Sequence, residues 1–223
     1  KTTLKTFGKK KFLSFKFKDK FYDKKLIKIL SEANYILISI PPQKKRDLVL
    51  KNFSKFLNKS KFKKLIYLSA TSVYGNHNGK WVNENSKLKG NTKFGLGRKI
   101  VEKSWIKFRN LYKLDINILR VSGIYSKESN VLKKISKKSI YVKEKKYFSR
   151  IRIEDLAQII KKMFYSQKSS LILNASDDKP ATNIEVANFA AKLLKIKNLR
   201  PMSISNFKNK MIKEFYKDSK KVS

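Results

Sequence analysis

Residues 65–69 read Leu-Ile-Tyr-Leu-Ser, an apolar run of strand length that passes at Ala70 into a long loop (70–89) rich in Asn, Gly and Ser. The run does not alternate apolar with polar. That is the pattern of a strand buried on both faces, as in a parallel sheet with helices on each side. Working outward, similar runs recur at 35–40 (YILISI, stopped by Pro41 and Pro42), at 116–121 (INILRV) and at 171–175 (LILNA). Between them, apolar residues fall at helical spacing: Leu26, Ile27 and Leu30 in 23–32, Leu48, Phe53, Phe56 and Leu57 in 44–57, Ile100, Val101, Trp105 and Phe108 in 92–110, and Leu156, Ile159, Ile160 and Met163 in 154–165. Thr182, with Glu185 three residues on, predicts a capping box for a helix over 183–194. A strand over 11–17, a short helix over 131–138, an extended segment over 147–153 and a last helix over 205–216 complete the expected elements. This alternation predicts an α/β protein, a Rossmann-like parallel sheet with helices on both faces. Ligands in such sheets sit at the carboxyl ends of the strands. The loops after Ile40, Ser69 and Val121 are therefore the places to look for function.

Composition narrows the chemistry. The chain has no cysteine, which excludes a disulfide scaffold, a thiolate metal site and a thiol nucleophile. A single histidine, His77, makes a Ser-His-Asp hydrolase improbable and reads as a solvated loop residue. No apolar run approaches the ~20 residues of a membrane span. The N-terminus is basic without an apolar core, so it is not a secretory signal, and a cytoplasmic location is expected. The net charge of +39 would attract polyanions. The excess is mostly Lys, however, and is spread through every segment with no nucleic-acid motif. It reads first as coding bias and second as a selected polyanion site, so binding of nucleic acid remains the lesser alternative.

The loops carry text with a family likeness. Residues 67–75 (YLSATSVYG) resemble the strand-to-loop segment of extended short-chain dehydrogenases/reductases, the NAD-dependent epimerase/dehydratase superfamily. Gly79, Trp81, Val82 and Glu84 match the GxWVxE element of an atypical subgroup. Residues 91–102 occupy the place of the family's YxxxK helix start. Further on, 119–125 (LRVSGIY), 148–157 (FSRIRIEDLA), 174–180 (NASDDKP) and 215–223 (FYKDSKKVS) resemble later family segments in the expected order. The resemblance implies a Rossmann-like nucleotide-binding part over 1–121 with 148–175. It also implies a small C-terminal substrate-side subdomain over 122–147 with 176–223.

What the resemblance implies for chemistry is qualified by the residues present. The family's glycine-rich phosphate loop is absent, since Gly8 is the only glycine before position 75. The chain reads as one that starts near the end of the family's second strand, a fragment with poor affinity for free dinucleotide. The family's Ser/Thr, Tyr and Lys fall on Ala70, Phe94 and Arg98. Phenylalanine cannot transfer a proton, and Arg98 can hold a ribose or phosphate oxygen but has no phenol to tune. A shift of one residue would place a hydroxyl from Ser69 or Thr71 at the first position. The implied catalytic positions are Ser69, Thr71, Phe94 and Arg98, and the implied cofactor contacts are Pro41, Pro42, Ser69, Ala70, Arg98 and Ser122. The substrate set is Thr71, Trp81, Arg150 and Arg152. The two last arginines alternate on an extended segment and suit an anion, while Trp81 reads first as a loop anchor. Glu84 reads as a hydrogen-bond acceptor and Asp177-Asp178 as a turn. The expected cofactor is NAD(P), with NADP favoured because Lys1 to Lys5 hold Lys and no acid. The expected ligand is a small or sugar-like anion, in redox or epimerase/dehydratase chemistry, and a homodimer follows only by analogy. A catalytically silent binding or regulatory module of the same fold is the standing alternative.

Overall fold

The computed structural model describes residues 2–138, 140–206, 208 and 210–223. The chain opens with an antiparallel hairpin, β1 (Thr2–Phe7) on β2 (Lys10–Phe15), turned at Gly8 with φ +58°. Only the second of these strands corresponds to the expected strand over 11–17. The region meant to favour NADP is therefore in a hairpin outside the central sheet, and Lys1 lies outside the described residues. A smaller hairpin follows, β3 (Phe17–Lys18) with β4 (Phe21–Tyr22). It docks on the core because the Phe17 and Tyr22 rings meet Phe53, with centroids 5.3 and 4.7 Å away.

Next come α1 (Lys24–Glu32), β5 (Tyr35–Ile38), α2 (Leu48–Leu57) and β6 (Lys64–Ala70). Helix α2 starts later than expected because Asp47 caps it, accepting from the Leu50 amide at 2.8 Å. After β6 come a turn of 3₁₀ helix (Thr71–Tyr74), β7 (Trp81–Val82), α3 (Lys93–Tyr112) and β8 (Ile116–Val121). The central sheet is parallel, in the order β13-β8-β6-β5, with β13 at Ile172–Ala175. Side chains alternate across it. Leu65, Tyr67, Ile116 and Ile118 join Phe53, Leu57, Val101 and Trp105 under the first three helices. Ile66, Leu119 and Val121 face Leu156 and Met163 of α5 (Ile153–Tyr165). Both faces of β6 and β8 are thus apolar, which is why their sequence does not alternate. The edge strand β5 differs: Ile36 and Ile38 are buried, whereas Tyr35 and Leu37 are exposed on the α5 side.

The rest of the chain forms small paired strands beside the sheet's carboxyl end. They are β9 (Gly123–Tyr125) with β12 (Arg150–Arg152), β10 (Ile140–Val142) with β15 (Arg200–Met202), β11 (Tyr147–Phe148) with β14 (Ala181–Thr182), and β16 (Lys221–Val222) with β7. Helices α4 (Val131–Lys138) and α6 (Asn183–Leu194) pack through Ile135, Ala187 and Ala190. The capping box at Thr182 and Glu185 forms as the spacing predicts. The last expected helix is split into a 3₁₀ turn at Ile204–Asn206 and α7 (Lys210–Phe215), and positions 207 and 209 lie outside the described residues.

Candidate functional site

Strand β6 delivers Ala70 to the edge of the sheet, and the 3₁₀ turn then folds onto the start of α3. Two glycines permit that approach. A Cβ on Gly95 would stand 2.4 Å from the Ser72 carbonyl oxygen. Gly75, at φ +68°, would place one 2.6 Å from Lys89 backbone atoms. Thr92 caps α3 by accepting from the Gly95 amide at 3.1 Å. The result brings Thr71, Phe94 and Arg98 together, although 20 or more positions separate the first from the others in sequence. Arg98 lies back over β6 and donates to the Leu68 carbonyl at 2.8 Å.

These residues line one wall of a cavity of about 800 Å³. Ala70, Thr71, Phe94, Arg98 and Ser122 come from the sheet side. Arg150, Asp177, Tyr216, Asp218 and Lys220 come from the C-terminal strands and loops. Of the sequence-predicted residues, Ser69 lies just beneath this surface, 3% exposed, and its Oγ has no hydrogen-bond partner among the described residues. Ser122 is buried in the same way with an unpaired Oγ. Pro42 is near the start of α3, its Cβ 3.9 Å from where a Gly97 Cβ would be, and neither Pro41 nor Pro42 is on the cavity lining.

Two residues of the predicted substrate set lie elsewhere. Trp81 is half exposed beside the Lys221 ammonium, outside the cavity. Arg152 is exposed and paired with Glu154 at 2.8 Å, so it does not share the cavity with Arg150. Alternation on β12 put both arginines on one face, but the strand leaves the cavity between them. Arg150 itself is largely spent on the protein, donating to the Phe148 and Ala181 carbonyls at 2.9 and 3.1 Å and to Asn183 at 3.2 Å. Glu84 is an acceptor, as expected, holding the Asn174 amide at 2.7 Å.

Sequence reasoning missed Asp177, Tyr216, Asp218 and Lys220 as wall residues. The only signal was that three of them fall in the quoted segment 215–223, and the fourth read as a turn. Burial pushes the Asp177 carboxyl above its ordinary value, and its Oδ1 is buried without a partner. Burial also raises the Tyr216 phenol, which accepts a hydrogen bond from Asn183. Burial lowers the Lys220 ammonium, opposed by Asp218 at 3.6 Å. Among the described residues no group of three His, Cys, Asp or Glu side chains could hold a metal ion.

Ser122 and the Arg98 guanidinium line the cavity at the carboxyl ends of β8 and β6, with Ser69 beneath them. No glycine-rich turn follows any strand of the sheet before β6.

No protein-family model matches the chain, and no curated protein matches it. Solved structures do. A conserved protein of unknown function from Silicibacter pomeroyi is 28% identical, with a TM-score of 0.77 over 85% of this chain and 68% of that one. UDP-N-acetylglucosamine 4-epimerase from Bacillus cereus is 16% identical, with a TM-score of 0.68 over 89% of this chain and 73% of the enzyme. dTDP-glucose 4,6-dehydratase from Bacillus anthracis, solved with NAD, is 15% identical, with a TM-score of 0.59 over 70% of this chain and 53% of that one. The chain has the fold of the NAD-dependent epimerase/dehydratase superfamily. No helix among the described residues is long and apolar enough to cross a membrane.

Proposed function

We propose that this chain is an atypical NAD(P)-binding protein of the epimerase/dehydratase type whose cavity takes a small, sugar-like anion. The reading is carried by the position of the cavity, at the carboxyl ends of β6 and β8, walled by Arg98 and Ser122 on one side and by Lys220 on the other. A bound nicotinamide would supply hydride transfer. In this chain Arg98 and Ser122 would hold the ribose oxygens and Thr71 would meet the substrate. Proton transfer by the Ser-Tyr-Lys route is not available to Ala70, Phe94 and Arg98, because none of them donates and accepts a proton as a phenol does. The same substitutions favour the second reading, a silent binding module with this fold.

The two-part division at 121–122, a homodimer, a cytoplasmic location and a preference for NADP are further parts of the proposal. The NADP preference rests on the net charge of +39, since Lys5 is remote in the first hairpin. Calorimetry with NADPH and NADH is the test. Binding that is weak, for want of a glycine-rich loop, and stronger for NADPH supports the reading; no heat with either at millimolar concentration sinks the cofactor claim. Turnover by the native chain, lost in a triple Ala70→Ser, Phe94→Tyr, Arg98→Lys variant, would mean a different mechanism. If neither form turns over any nucleotide sugar, the silent module gains. A mobility shift with duplex DNA that persists at sub-micromolar protein near physiological salt would put the nucleic-acid reading first.

A further inference from the structure

Three cationic side chains are buried among the described residues: Lys64, Arg120 and Lys220. Burying an ammonium or guanidinium is costly unless its donors are met. Lys64 meets its own, donating to the Ser166 and Lys168 carbonyls at 2.8 Å each, with Asp115 at 3.4 Å. Arg120 donates from all three of its nitrogens, to Glu102, Tyr74 and the Glu84 carbonyl. Lys220 differs. Its side chain is 11% exposed, and its partner among the described residues is Asp218 alone, 3.6 Å away. An ammonium has three protons to donate, so the pair leaves donor capacity on the wall of the cavity.

We propose that Lys220 and Asp218 form an oxyanion seat, in which the ammonium binds a carboxylate or phosphate group of the cavity's ligand and Asp218 holds the ammonium until the anion arrives. The surroundings favour an anion. Lys134 and Lys179 line the same cavity and are exposed, so they draw negative charge toward it. Arg150 adds positive field, with three of its donors spent on Phe148, Ala181 and Asn183. Two other carboxylates line the cavity. Glu214 is engaged by the Lys93 amide and by Lys217. Asp177 is part-buried, with its carboxyl raised above its ordinary value by desolvation and the Arg150 guanidinium working against that shift. An arriving oxyanion would meet the unmet donors of Lys220 and compensate the desolvation of its charge. The seat rests on the reading of the cavity as a ligand site and does not depend on a nicotinamide cofactor.

The test uses the full chain and two probes, inorganic phosphate and malonate, titrated by calorimetry at ionic strength held constant with chloride. Lys220→Met is expected to weaken at least one probe about ten-fold or more, the worth of a hydrogen bond to a charged group. Asp218→Asn removes the competing carboxylate and is expected to tighten the same probe several-fold. Lys197→Met, an exposed lysine off the cavity, should change neither. The probe that responds tells phosphate from carboxylate as the ligand's group. No binding of either probe overturns the proposal, as does equal binding by Lys220→Met or an equal loss in Lys197→Met, which would mark diffuse charge. Should Lys220→Met not fold, unchanged affinity in Asp218→Asn overturns it. NADPH fluorescence, followed in parallel, reports the cofactor claim separately, so either can fail without the other.

Discussion

Replacing Glu102 with Gln should cost this fold about 3–5 kcal/mol, the penalty for removing one partner of a buried ion pair. Glu102 on α3 is 1% exposed and Arg120 on β8 is 3% exposed. The Arg120 Nε reaches both carboxylate oxygens, at 3.2 and 3.3 Å, and a terminal nitrogen reaches one of them at 2.9 Å. The other terminal nitrogen donates to the Tyr74 hydroxyl at 3.0 Å and to the Glu84 carbonyl at 3.2 Å. Tyr74 in turn donates to Asn174 at 2.8 Å. One guanidinium thus ties α3, the sheet and the loop beyond the 3₁₀ turn. Gln preserves the volume but leaves the guanidinium charged and buried without a counter-charge. Against a typical total of ~5–15 kcal/mol, the loss is about a fifth or more. Urea unfolding should show the midpoint falling by about 1–2 M at unchanged slope, for a slope of ~2–3 kcal/mol/M. Glu102→Leu combined with Arg120→Met should cost well under the sum of the single losses, because the apolar pair buries no lone charge. A single loss below about 1 kcal/mol, or a coupling within ~0.5 kcal/mol of zero, would show that water reaches the pair and refute the argument. The pH sign is also fixed. Burial works to lower the Arg120 guanidinium, and Glu102 overrides it, so the net shift is upward from the ordinary value. Stability from a raised group is present below its unfolded value and is lost only above the folded one. Arg120 therefore contributes no slope between about pH 5 and 9.

Other consequences can be read directly. Gly95→Ala should destabilise by about 1–3 kcal/mol and weaken anion or nucleotide binding, because its Cβ would displace the Ser72 carbonyl and with it Thr71; binding measured on the folded variant checks this. Leu57→Ala, at a fully buried position, should cost about 2–5 kcal/mol by urea unfolding and leave anion binding intact. Asp47→Ala should cost about 1–2 kcal/mol, since Asp47 both caps α2 and accepts from the Trp105 indole at 3.3 Å. Burial raises the Asp47 carboxyl above 3.8, so its stabilisation is full below that value and is lost as pH rises through the folded one. Wild type should therefore lose stability relative to Asp47→Ala across the acid window just above pH 4, as thermal melts would show.

The alternation of strands and helices was legible because β6 and β8 are apolar on both faces, and a local pattern records that directly. The capping box at Thr182 and the start of α3 at Thr92 were legible for the same reason, being contacts within four residues. Gly75, Gly95 and the turn they permit placed Thr71, Phe94 and Arg98 in one wall, as the order of segments implied. The first strand of the N-terminal hairpin escaped the pattern because residues 3–13 are exposed and bury too little apolar surface to mark their period. The opposite wall escaped it for a different reason. Arg150 and Arg152 look equivalent in sequence, yet whether a cation faces a ligand or a carbonyl depends on which distant backbone meets it. Arg150 meets the carbonyls of Phe148 and of Ala181, the latter 31 positions on, whereas Lys220 meets the side chain of Asp218. Sequence periodicity fixes which side of an element is apolar. The state of a buried charge depends on which groups the fold sets against it, as when Lys64 meets the carbonyls of Ser166 and Lys168, 102 and 104 positions on, and only the folded chain brings those together.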